Sequence, residues 1–200
     1  MNIMNRKNKF FIAHINDETY FLLDNGENIK DYSFKGHLSD QLHLKFKQFL
    51  DLYGFNLNDI DSIYVSRGPG SFTALRTVIL FAKTLCLCLR TKLFSANIFE
   101  IFLYGTDSSK EIQNIALFSK KNSYYLAKVV STKGLCGYNL VAEEKLNDLC
   151  GLFIGNNPFK NFKSVSFKDI KINFNVFREE DVYSFEPEYG IDLNVKVFSR

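Results

Sequence analysis

The spacing of apolar and polar positions changes period several times along the chain. Short apolar runs at 9–15, KFFIAHI, and 19–23, TYFLL, are separated by the polar triplet Asn16-Asp17-Glu18, and Asn25-Gly26 precedes NIKDYSF. Runs of this length bounded by such turns predict an N-terminal antiparallel meander. From Leu38 the period lengthens. Leu38, Leu42, Phe46, Phe49, Leu50 and Tyr53 fall on one helical face, with Ser39 or Asp40 able to start the helix and Gly54 to close it. A buried strand is expected over 60–65, and then a helix over 72–90 in which Phe72, Leu75, Val78, Ile79, Ala82, Leu85, Cys86 and Leu89 share a face. Arg76, Lys83 and Arg90 recur along that helix, each followed by Thr. Its polar stripe is narrow, so it is expected to be covered on more than one side.

A strand at 93–95 and a helix at 97–103 lead to the polar stretch GTDSSKEIQ. This stretch suggests a boundary between an N-terminal lobe, 1–106, and a smaller C-terminal lobe, 107–200. The second half starts again with strands, NIALFS and YYLAKVVS, around the turn Lys120-Lys121-Asn122. A short helix at 143–149 and a strand at 150–154 follow. The alternation of Ile170, Ile172, Phe174 and Val176 predicts one more strand. Each half therefore places strands first and a helical crossover later.

Composition narrows the classes of function. Hydrophobic residues at 46% and charged residues at 24% are those of an ordinary globular protein. A net charge of +3 is too small to indicate nucleic-acid binding by itself. Cys86, Cys88, Cys136 and Cys150 form no CxxC pair and have no histidine at ligand spacing, which fits reduced thiols in the cytoplasm. The apolar run from Val78 is interrupted by Lys83 and flanked by Arg76 and Arg90, short of the roughly 20 apolar residues of a spanning helix. The apolar stretch after Lys9 is also too short for an export signal. The expectation is a cytoplasmic protein with no membrane segment.

The candidate chemistry centres on SRGPGSFTALRT, residues 66–77. Gly68 and Gly70 flank Pro69, so the backbone can approach an anion, and Ser71 or Thr73 can cap a helix. It is not a Walker loop, because Ala74 follows Phe72-Thr73 where a lysine would be needed. Ser71 and Thr73 have no local histidine, and no GxSxG turn occurs. His14, His37 and His43 are the only histidines; without HExxH, and with His37 and His43 six apart, no zinc site is expected. Cys86 and Cys88 on an apolar helix should be inert. Lys160, Lys163, Lys168, Lys171 and Arg178 are interleaved with Phe159, Phe162, Phe167, Phe174 and Phe177. That tract suits either a single-stranded RNA surface or a half-buried strand.

The string GPGSFTALR closely resembles the GPGSFTGLR signature of the bacterial TsaB (YeaZ) family, with eight of nine residues the same. The order around it agrees over 9–95: a strand pair, the helix entry Gly36-His37-Leu38-Ser39-Asp40-Gln41-Leu42, a helix, the strand DSIYV and the segment AKTL. The resemblance implies a two-lobe α/β fold of the actin/Hsp70-like (ASKHA, ribonuclease H-like) class with a trimmed second lobe. It also implies a catalytically idle companion of the tRNA-modifying enzyme TsaD, joined by the ATPase TsaE, in making threonylcarbamoyl-adenosine beside the anticodon. In that role the chain has no catalytic residue or cofactor of its own: ATP and Mg, Zn or Fe belong to partners. It reaches tRNA through the complex, and the same apolar helices could support a homodimer when TsaD is missing.

On this reading Gly68, Pro69, Gly70, Ser71, Phe72, Thr73 and Arg76 set the start of the second helix, and replacing Gly70 with Val is expected to disrupt the turn if Gly70 has positive φ. Leu42, Phe46, Phe49, Val78, Ile79 and Lys83 lie near the partner. The chain departs from the family where phosphate would be handled: Ile15-Asn16-Asp17 replaces Asp-Thr, Ala74 replaces the central glycine, and Phe118-Ser119-Lys120 replaces Asp-Ala-Arg. The rivals are an ATP-dependent phosphotransferase of the same fold, with Asp17 holding the metal, and a direct tRNA binder. A metallopeptidase, with which the family was once grouped, lacks its ligands.

Overall fold

The computed structural model describes residues 7–107, 112–131, 134–156 and 158–190. The meander is β1 (Lys9–Ile15), β2 (Glu18–Asp24) and β3 (Ile29–Lys35), followed by α1 (Leu38–Tyr53), β4 (Ser62–Ser66), α2 (Phe72–Leu89), β5 (Lys92–Ala96) and α3 (Ile98–Gly105). The second half contains β6 (Asn114–Lys120), β7 (Ser123–Ser131), β8 (Gly134–Ala142), β9 (Gly151–Ile154) and β10 (Phe162–Val165), and β11 (Arg178–Glu180) closes the order. One sheet runs β11-β5-β4-β1-β2-β3 and the other β10-β9-β6-β7-β8. Each has three antiparallel strands followed by two parallel ones in the same relative order. This duplicated ribonuclease H-like arrangement is the two-lobe actin/Hsp70-like fold.

Strand alternation builds the layers. Phe10, Ile12, Phe21, Leu23, Ile63 and Val65 face α1 and α2 in one core. Their neighbours Phe11, Ala13, Tyr20, Leu22 and Tyr64 face a second core between the sheets, shared with α3 and with Ile115, Leu117, Tyr125, Ala127, Leu152 and Ile154. Aromatic pairs fill both: Phe10 lies 4.9 Å from Phe46 and Tyr20 stacks on Phe167 at 4.8 Å, centroid to centroid. Among the described residues, α2 is the one helix long and apolar enough to cross a membrane. Here it is a core helix, with Val78 and Ala82 fully buried against the sheet.

Several sequence-based expectations need correction. α1 starts at Leu38 behind His37, and Ser39 Oγ donates to Asp40 rather than capping the helix. The helix expected at 143–149 is a 3-10 turn, Glu143–Leu146. No strand forms over 170–176. Ile172 is buried and Ile170, Phe174 and Val176 are partly buried against the core between the sheets, so the alternation reflects a wedge. Lys171 N–H donates to Gly105 C=O, and Asn173 accepts from Asn175 N–H to close a 3-10 turn. Residues 178–190 return to the first lobe instead of staying with 107–200. β11 pairs with β5, and Phe185 enters the α1/α2 core.

Candidate functional site: the signature turn and its strap

β4 ends fully buried, and the chain turns at Arg67 and a cis Gly68–Pro69 bond. Three backbone hydrogen bonds fix the turn: Arg67 N–H to Ala96 C=O at 3.0 Å, Ile98 N–H to Gly68 C=O at 2.8 Å, and Glu188 N–H to Arg67 C=O at 2.7 Å. Gly68 has φ +117°, and a Cβ there would lie 2.1 Å from the Glu188 carbonyl oxygen. Gly70 is not at positive φ, and a Cβ would only touch Leu75 at 3.6 Å. The backbone requirement therefore falls on Gly68 and not, as expected, on Gly70, because the strap crosses directly over Gly68.

The remaining signature residues are gathered at the start of α2. Ser71 occupies the cap position without a side-chain cap bond, and its C=O accepts from Leu75 N–H at 2.9 Å. Thr77 Oγ donates to the Thr73 carbonyl. Phe72 packs on Tyr189 with centroids 4.6 Å apart, and the Arg76 guanidinium sits 5.3 Å from the Phe72 ring.

Sequence reasoning missed what covers this turn, a strap of residues 181–190. Lys83 Nζ donates to the carbonyls of Tyr183 at 3.3 Å and Phe185 at 3.0 Å. Before the strap, Glu180 accepts from Arg67 at 3.3 Å and from Ser95 Oγ at 2.5 Å. Within it, Glu188 accepts from Tyr138 O–H at 2.5 Å and from Asn97 Nδ2 at 3.3 Å, with Arg67 Nε 3.5 Å away. Burial, and then the bond to the Glu188 carboxylate, raise the Tyr138 pKa. A groove of about 460 Å³ runs between the strap and the outer side of α2, with Arg76 and Leu80 on one wall and Phe185 and Pro187 on the other.

The residues expected at a partner interface sort differently. Leu42, Phe46, Phe49, Val78 and Ile79 all lie inside the α1/α2 core, and Lys83 is bonded to the strap. The sheet takes the most periodic apolar face of each helix. What remains outward is a surplus of leucines: Leu44 (57% exposed), Leu52 (63%), Leu80 (66%) and Leu87 (49%), with Phe72.

The cleft between the lobes carries little of a phosphate site. Asn16 takes the left-handed position of the β1–β2 turn at φ +57°, and Asp17 pairs with Lys35 at 3.6 Å. A groove of about 430 Å³ there includes both, with Phe118, Tyr124 and Asn156. His14 Nε2 lies 3.0 Å from the Asn16 carbonyl, which can only accept, so Nε2–H donates there and Nδ1 accepts from the Thr19 hydroxyl at 2.9 Å. Burial lowers the His14 pKa against the opposing pull of that carbonyl and Asp17. Among the described residues, no three His, Cys, Asp or Glu side chains are grouped to hold a metal. Burial pushes the Cys86 thiol up to about 11, while Cys88, expected to be packed away, is exposed. In the basic tract Phe162, Phe167 and Phe177 are buried and Phe159 and Phe174 pack against the cores, leaving the lysines outside without stacking rings.

These features define a two-lobe α/β protein of the actin-like class, with a strapped glycine turn leading into a core helix whose outer face carries exposed leucines. The sequence profile of the family described as TsaD, tRNA N6-adenosine threonylcarbamoyltransferase, matches residues 33–132, which include the whole signature. The chain belongs to this family, which ties it to tRNA modification. Its fold is that of YeaZ. It resembles the YeaZ structure from Pseudomonas aeruginosa with a TM-score of 0.55 and 16% identity, covering 68% of each chain. It also resembles an uncharacterized protein with similarity to peptidase YeaZ, from the same organism, with a TM-score of 0.58 and 14% identity over 79% of this chain and 74% of that one. No curated protein matches the chain.

Proposed function

We propose that this chain is a non-catalytic companion of a TsaD enzyme in forming threonylcarbamoyl-adenosine on tRNA, docking through the outer faces of α1 and α2. The observation that carries this reading is the set of outward leucines on two neighbouring helices, Leu44 and Leu52 on α1 and Leu80 and Leu87 on α2. The core of each helix is already filled, so these side chains have no role in holding it to the sheet. Exposed apolar side chains on the outer faces of neighbouring helices mark protein-binding faces when they form a continuous surface. The same face would serve a homodimer when the partner is missing.

The cleft supports leaving ATP and the Mg, Zn or Fe chemistry to TsaD and TsaE. Asn16 stands at the turn where a metal-holding carboxylate would be wanted, and Asp17 is engaged by Lys35. The complex would assemble in the cytoplasm and meet tRNA through the partner. The test is co-purification with the TsaD of the same organism, together with a tRNA modification assay. Leu80→Asp and Leu87→Asp should lose the partner and the modification that depends on this chain while keeping the fold. Retained binding in both variants would sink the docking face, and modification proceeding equally well without the chain would sink the companion role.

A further inference from the structure

The Glu188 carboxylate is held by groups from three separate places in the fold. Arg67 follows β4, Asn97 is the cap of α3, and Tyr138 lies on β8 of the other lobe. One carboxylate oxygen takes the Tyr138 O–H and an Asn97 Nδ2 contact, and the other takes a second Asn97 Nδ2 contact and faces Arg67 Nε. Asn97 Oδ1 accepts from Phe99 N–H at 2.9 Å, which fixes the amide with its NH2 toward Glu188. The Tyr138 ring is set between Phe99 at 5.3 Å and Tyr125 at 5.9 Å. The donors are thus positioned by elements outside the strap, and a charged acceptor among such donors is bound more strongly than a neutral one.

We propose that Arg67, Asn97 and Tyr138 form a carboxylate-binding pocket at the junction of the lobes, and that Glu188 fills it in cis to hold the strap of residues 181–190 shut. The strap touches everything the turn controls. Its Glu188 N–H bonds Arg67 C=O, the Tyr189 ring lies on Phe72 at the start of α2, and the Tyr189 C=O accepts from Tyr125 O–H of the second lobe at 2.9 Å. Emptying the pocket therefore loosens the strap over the signature turn and beside the groove and removes the Glu188 link to Tyr138 of the second lobe, while the core shared between the sheets keeps the lobes together.

The test is amide hydrogen exchange across 181–190 in the full chain. Glu188→Ala should speed exchange at position 188 and its neighbours about tenfold or more, the effect of losing a charged hydrogen-bond set in a locally opening segment. Acetate should enter the emptied pocket of Glu188→Ala and shift the NMR signals of the Asn97 side-chain amide and the Tyr138 ring, whereas chloride at equal ionic strength should not. Asn97→Asp keeps an α3 cap of equal quality but turns oxygens toward Glu188, so it should loosen the strap by a similar factor. Adding Glu188→Gln to it should reverse most of the change. Exchange within about twofold of the parent in both Glu188→Ala and Asn97→Asp would overturn the latch. Signals of Asn97 and Tyr138 that acetate leaves unmoved in Glu188→Ala would overturn the pocket.

Discussion

The two lobes share one strand order and differ in what lies over their sheets. In the first, α1 and α2 bury Phe10, Phe21, Phe46 and Phe49 in a thick layer on one face. In the second, among the described residues, the outer face buries Ala116, Leu126, Leu146, Phe153 and Phe162 with Tyr124, Val141, Leu149 and Phe159 partly buried at their edge, and a 3-10 turn stands where the first lobe has a helix. Its inner face is covered by α3, by Phe167 and by the wedge at 170–177, which pack against the first sheet as well. A sheet can thus keep its topology with little cover of its own, provided a neighbour supplies the other side. The second lobe leans on the first, and the two should unfold together.

The sharpest test of that asymmetry is truncation of one large side chain in each outer layer. Phe49→Ala, at the centre of the α1/α2 core, should cost about 3–5 kcal/mol, and Phe162→Ala about 2–3 because the thin layer can collapse. Urea unfolding followed by probes in each lobe checks both, and separate transitions would break the picture of a dependent second lobe. Next in size is the junction. Gly68→Ala should cost about 3 kcal/mol, since a Cβ meets the strap backbone at positive φ, whereas Gly70→Ala should stay under about 1 kcal/mol. Equal effects would remove the strap from the account of the turn.

Smaller still, Leu80→Asp should shift stability by no more than about 0.5 kcal/mol, as the side chain is mostly in water. The smallest effect concerns His14 near the cleft. Its pKa in the fold is below the unfolded value of 6.5, so on acidification the unfolded chain takes up the proton first. The stability His14 contributes is complete above pH 6.5 and is lost as pH falls below it toward the folded pKa. His14→Gln should therefore flatten the stability profile over that acidic window. An unchanged profile would show that the imidazole is not held neutral.

Most of the first lobe was legible from the sequence because its signals are local. The period of Leu38, Leu42 and Phe46, the closing Gly54 and the signature string each report their own segment. The strap was not legible. Lys83, Arg67, Asn97, Tyr138 and Glu188 lie far apart in the chain, and no spacing rule connects them. The same limit explains the interface residues: periodicity finds the apolar face of a helix, and that face goes to the sheet first. Leu44 and Leu80 were discoverable only as apolar residues outside the periodic set. At 170–176 alternation was real but had no partner strand, and a pattern of burial cannot by itself distinguish a strand from a wedge.

The return of the chain to the first sheet also orders events during synthesis. β5 is an open edge until β11 emerges from the ribosome roughly eighty residues later, about 4–16 s at typical translation rates. Through that interval the first lobe has a strand with one open edge beside an α1/α2 core that still lacks Phe185. Its folding is finished by a segment made after the whole second sheet, so a chain stalled before 178 would present an adhesive edge to its neighbours.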